Sequence, residues 1–286
     1  MTEIITMPNI YKKLKDYGLS KEYIRENGLP RWWDEELEKN PAAVLEGAGH
    51  IAKRLNLDLR SLLEKGQSVK LKQLPDTKFK YHNQQGSKPP EKAHAIASRI
   101  AEIVAMGVQK DFVNLPESVE QVRADILQSH STIDLSALLD YCWSHGIGVI
   151  YFDKYPSGKK ITGMVQWHYD RPVIVLSRKQ NHCAQLAFDL AHELGHLTLG
   201  HVNDGTLVDE EIEYDSLDSR EIEANEFAVR LLMGNHNNCL GKLQNVLKDL
   251  NPVNGQQLIN QSLEQHLDWN CYSQDDYDYL DQLLGD

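Results

Sequence analysis

The sequence predicts an α+β fold: an all-helical N-terminal domain, then a second domain whose helices surround a small antiparallel sheet. Three observations predict it. Helical apolar spacing dominates both ends of the chain, short β-branched and aromatic runs cluster between residues 147 and 177, and a polar stretch ending in Gly-Ser-Lys-Pro-Pro separates the first helices from the rest. A length of 286 residues is enough for two domains.

Residues 1–66 form the helical module. LSKEYIREN opens with Ser20 as a cap, NPAAVLEGAGHIAKRLN starts on Asn40 with Pro41 at the first helical position, and DLRSLLEKG stops at Gly66. Residues 67–90 are a basic linker containing Lys70, Lys72, Lys78, Lys80 and Lys88, without helical period. Residues 91–286 form the second domain. Its first helix, EKAHAIASRIAEIVAMG, aligns Ile96, Ile100, Ile103 and Val104; a second runs to about Leu127, and a third spans Asp134 to His145 before Gly146. GVIYFD, ITGMVQW and RPVIVLS then read as strands, with Pro-Ser-Gly-Lys and Tyr-Asp-Arg-Pro as turns. Helices return at 181–200, about 218–233, 239–250 and 274–284.

Composition narrows the function classes. Apolar residues make up 41% and charged residues 25%, values of an ordinary globular chain. No run approaches the ~20 apolar residues of a membrane span, and MTEIITMPNIYKKLKDYG lacks the apolar core of a signal peptide, so a cytoplasmic location is expected. Cys142, Cys183, Cys239 and Cys271 form no CxxC pair, which argues against a zinc knuckle or a disulfide framework. The net charge is −12, and residues 201–286 carry 4 basic against 18 acidic side chains. Such an end repels a phosphate backbone, so direct nucleic-acid binding by that half is not expected.

The sharpest motif is His192-Glu193-Leu194-Gly195-His196 within LAFDLAHELGHLTLG. On a helix, residues four apart lie within ~40° of each other, so both imidazoles can share one metal ion while Glu193 reaches a water beside it. Leu186, Leu190, Leu194 and Leu197 supply an apolar stripe, and Gly195 keeps the turn between the histidines free of bulk. A third ligand is needed. His201 does not fit the extended pattern HExxHxxGxxH, because the chain reads Leu199-Gly200-His201-Val202. In SREIEANEFA, Glu221 projects within ~50° of the stripe formed by Ala224, Phe227, Ala228, Leu231 and Leu232, whereas Glu223 lies ~110° away. A carboxylate aimed at the core needs a partner, which favours Glu221 and keeps Glu223 as the alternative.

The succession GIGVIYFD, ITGMVQW, RPVIVLS, AHELGHLTLGH and EIEANEFAVRLLM resembles the ImmA/IrrE family of zinc metallopeptidases over roughly residues 91–235. The resemblance implies a minimal zincin-like domain with Zn²⁺ on His192, His196 and Glu221, and Glu193 as the catalytic base. It further implies a protein substrate, specifically a transcriptional repressor with a helix-turn-helix. Gly200 and Gly234 stand where that family often has His and Pro. HIAKRLNLDLRSLL is similar to the second and third helices of a helix-turn-helix, but its second helix offers only Arg60 and Lys65 against Asp58 and Glu64, which favours a docking, dimerising or sensing role over operator binding. Two other functions fit the same residues: a zinc-containing module that sequesters a partner without cutting it, and a DNA-binding, metal-sensing regulator.

Overall fold

The computed structural model describes residues 5–72, 91–156, 161–178, 182–202, 205–209, 218–234 and 254–285. The expected helix at 239–250, Cys239, and Lys78, Lys80 and Lys88 lie outside them.

The N-terminal helices form because each has a start signal and one apolar face. Helix α1 (Met7–Asp16) buries Met7, Ile10, Tyr11 and Leu14. A short α2 (Lys21–Tyr23), capped by Ser20, runs into a wider turn at Ile24–Gly28. Helix α3 (Pro41–Arg54) starts with the Asn40 side chain accepting from the Ala42 amide, and Asp58 caps α4 (Leu59–Leu63) in the same manner. Gly47 lets the Trp33 ring lie on α3, since a Cβ there would sit 2.5 Å from the ring. Residues following α4 return to this unit: Val69 is buried, and the Asp58 and Lys72 amides donate to the Lys70 and Asn56 carbonyls.

Helix α5 (Glu91–Gly107) is buried along nearly its whole length. After it come α6 (Val119–Leu127), capped by Ser118, and α7 (Leu135–Ser144), capped by Asp134. Strands β1 (Gly148–Tyr151), β2 (Gly163–His168), β3 (Arg171–Leu176) and β4 (Thr206–Asp209) form one sheet in the order β1-β3-β2-β4. Helix α8 (Cys183–Thr198) precedes β4, and α9 (Ser219–Met233), α10 (Gly255–His266) and α11 (Gln274–Leu284) follow it.

The α+β class and the small sheet agree with expectation, but the sheet is mixed rather than antiparallel. Strands β2 and β3 form a hairpin through Tyr169 and Asp170, both in the left-handed region (φ 53° and 58°), as a tight two-residue turn requires. Strand β1 pairs parallel to β3. The long connection from β1 to β2 carries the chain past the position β3 will fill, so β3 enters between them. The fourth strand, β4, was not anticipated; it pairs antiparallel to β2.

Side chains alternate between the two faces of the sheet. Gly148 faces α5, where a Cβ would press on Val104 and Val108, and its register partners Val173 and Gln166 share that face. Gly163 has the opposite parity and faces α8. One apolar core runs from the N-terminal helices through α5 to the sheet and α11. Arg54 of α3 is fully buried where these parts meet. It donates to the Leu29 carbonyl and to Gln282 Oε1 of α11, each at 2.9 Å, and stacks over Tyr279.

Candidate metal centre

Helix α8 is held between the sheet and α9 by its apolar stripe, so the polar residues between those positions are buried too. Asp189, His192, Glu193 and His196 are all fully inaccessible to solvent. Gly195 is what lets α9 close in: a Cβ there would lie 3.0 Å from the Phe227 ring. This contact brings the start of α9, capped by Asp218, across from the two histidines.

Glu221 points at both imidazoles. Its carboxylate oxygens stand 3.3 Å from His192 Nε2 and 3.6 Å from His196 Nε2, and those two nitrogens are 3.0 Å apart. Burial works to raise the Glu221 carboxyl; whenever the facing imidazoles are protonated, they overcome it and hold the group far below the usual carboxylate range. Glu223 is turned away from this cluster, and its Oε2 meets His201 Nε2 at 3.1 Å.

The outer ring nitrogens decide what the inner ones can do. His192 Nδ1 is 3.0 Å from Asn225 Oδ1 and donates to it, so the His192 Nε2 lone pair faces inward. His196 Nδ1 is paired with His201 Nδ1 at 2.8 Å. Two inward-facing imidazole nitrogens and a carboxylate, with one ligand atom from each residue lying within 4.8 Å of the others, form a donor set suited to a divalent cation. The residues present therefore fit a metal ion.

Glu193 lies against the backbone of β2. A Cβ on Gly163 would fall 1.7 Å from Glu193 Oε1, so only glycine leaves room for that carboxylate. One turn before His192, Asp189 accepts from Arg178 Nε at 2.7 Å, from Arg178 Nη2 at 3.1 Å and from Gln185 at 3.2 Å. Burial raises the Asp189 carboxyl, and Arg178 opposes that rise.

The structure thus brings together His192, His196 and Glu221, packs Glu193 of α8 against Gly163 of β2, and puts Glu223 on His201 instead. Sequence reasoning missed Asn225, Gly163 and the Arg178–Asp189 pair. Asn225 carries a signal, because it sits one turn after Glu221 on the same face of α9. Gly163 and Arg178 carry none, since their partners are distant in the chain.

A histidine pair on one helix, a carboxylate from the next, and a small mixed sheet beneath define a zincin-like domain of metallopeptidase type. Residues 142–237 match the model of the M78 peptidases, described as the IrrE N-terminal-like domain. The ImmA/IrrE resemblance is thereby shown over that segment, which contains β1 to β4, α8 and α9. No curated protein matches the chain.

Proposed function

We propose that the protein is an intracellular zinc-dependent endopeptidase that cleaves a transcriptional repressor carrying a helix-turn-helix. The observation that carries this reading is the convergence of His192, His196 and Glu221, one ligand atom from each lying within 4.8 Å of the others, with Glu193 buried beside them. A bound Zn²⁺ would supply Lewis acidity, activating water and polarising the scissile carbonyl. His192, His196 and Glu221 would hold it, with Asn225 orienting the first imidazole. Glu193 accepts the proton of the attacking water and returns it to the leaving amine. Its placement against Gly163 limits the positions its carboxylate can take. The repressor as substrate follows from the family likeness. A linker between the repressor's DNA-binding and dimerising parts is the natural target, because cutting it removes bivalent operator binding.

In this reading the N-terminal unit selects or restrains the partner. Its support is the shared core and the buried Arg54, which tie that unit to α11.

Metal analysis and one variant test the proposal. Wild-type protein should carry one zinc per chain, and His192→Ala and His196→Ala should lose it. Glu193→Gln should keep zinc and lose hydrolysis by several orders of magnitude. If Glu193→Gln still performs the biological role at wild-type level, the protein acts by sequestering its partner and the enzyme reading fails.

A further inference from the structure

We propose that His201 is a positioning residue for the metal centre, linking Glu223 to His196 so that His196 Nε2 is kept as a metal ligand. The inference rests on the metal-centre reading above.

The backbone that ends α8 delivers His201. Gly200 adopts φ 69°, which a side chain tolerates poorly, and turns the chain back on itself. The His201 amide then donates to the His196 carbonyl at 2.9 Å, and the Gly200 amide to the Leu197 carbonyl at 3.2 Å. These two bonds are the Schellman arrangement of a helix end. It sets the residue after the glycine over the last turn, which here carries His196. The ring of His201 is thereby returned to His196 Nδ1, and its side chain is 7% exposed. A histidine one position earlier would stand where the chain must turn left-handed.

The chain of bonds has one direction compatible with a metal. The Glu223 carboxylate accepts from His201 Nε2–H across 3.1 Å. His201 Nδ1 then carries a lone pair and accepts from His196 Nδ1–H across 2.8 Å. His196 is left with its lone pair on Nε2, facing His192 and Glu221. The opposite direction would put a proton on His196 Nε2, 3.0 Å from His192 Nε2, and close the site to a cation. Outer partners of this kind fix the tautomer and ring orientation of a ligating imidazole. His192 has Asn225 for the purpose, and His196 has the His201–Glu223 pair.

The test uses the full-length chain with Zn²⁺ as probe. Zinc affinity is measured by competition with a chromogenic chelator, and the melting temperature of each metal-free protein reports folding. His201→Ala should weaken zinc binding by roughly 10–100-fold at an unchanged metal-free melting temperature. His201→Gln, whose amide oxygen can accept from His196 Nδ1–H, should recover part of that loss. Long-range ¹H–¹⁵N spectra of the zinc-loaded wild type should show His201 protonated on Nε2 and His196 on Nδ1, a signature that packing alone would not set. A wild-type Kd for His201→Ala, or a His201 proton on Nδ1, overturns the inference while leaving the metal centre intact. A wild-type chain that takes up no zinc overturns the metal-centre reading itself.

Discussion

Gly163 and Glu193 occupy complementary space: the hydrogen of a glycine on β2 is all that fits beside the carboxylate that follows His192 on α8. Any side chain at 163 must displace either the strand or Glu193. Gly163→Ala should therefore keep zinc, because it touches none of the three candidate ligands. It should reduce hydrolysis by about 100-fold, the scale expected when a reacting group is misplaced by an ångström. Zinc content and turnover of a cleaved peptide, measured on the same preparation, check this. Wild-type turnover would show that Glu193 tolerates displacement and is not the base.

The two carboxylates of α9 should separate sharply. Glu221→Gln should lower zinc affinity by more than the roughly 10–100-fold that loss of an outer partner costs, because it alters a group facing both Nε2 atoms. Glu223→Gln retains an oxygen able to accept from His201 and should cost less than about tenfold. Chelator competition on both variants ranks them. The reverse order would make Glu223 the ligand.

Much of this site was legible because helical spacing is local. The four-residue interval of the histidines and the face carrying Ala224 and Phe227 place three side chains once two helices are assumed to meet. The strands at 148–151, 163–168 and 171–176 were legible for a similar reason, since β-branched runs and the Tyr169-Asp170 turn are written in consecutive residues. The parallel pairing of β1 with β3 was not, because strand order depends on which strand enters the gap after a long connection. His201 falls outside the spacing of the extended motif, and its ring meets Glu223 and His196 Nδ1 rather than the ligand cluster. Its contact with His196 depends on the left-handed Gly200, a conformation visible only once the helix end is known. Arg54 reads as an ordinary helix-surface cation, and its burial against Gln282 spans more than two hundred residues of chain.

That burial makes a stability prediction. Arg54 bonds Leu29 and Gln282 and pairs with Asp275 at 3.4 Å. Removing its guanidinium takes the donor from Gln282 Oε1 and one donor from the Leu29 carbonyl, while Asp275 keeps His50 and Lys53, and Arg54→Ala should cost about 2 kcal/mol. The midpoint of a urea transition read by Trp fluorescence checks it. A loss under about 0.5 kcal/mol would show that water replaces the guanidinium and that the N-terminal unit does not depend on this contact.

His94, fully buried on α5, should make the fold acid-sensitive. Burial pushes its imidazole down to about 4, against ~6.5 in an unfolded chain. Between those values the unfolded chain binds a proton that the folded chain refuses, so stability is whole above about pH 6.5 and falls as pH drops toward 4. The loss attributable to His94 between pH 7 and pH 4.5 is about 2 kcal/mol. His94→Leu should flatten the stability profile by that amount over this range, relative to wild type. Parallel profiles would mean that His94 gains its proton without cost in the folded state.

The claim that this chain hydrolyses peptide bonds with a metal at His192, His196 and Glu221 is tested most directly on a proteome-derived peptide library, with new termini counted by mass spectrometry. Zinc-loaded wild type should generate a restricted set of new N-termini. The metal-free protein and zinc-loaded Glu193→Gln should generate none above background. New termini produced equally by wild type and Glu193→Gln, or by none of the three, would contradict the account.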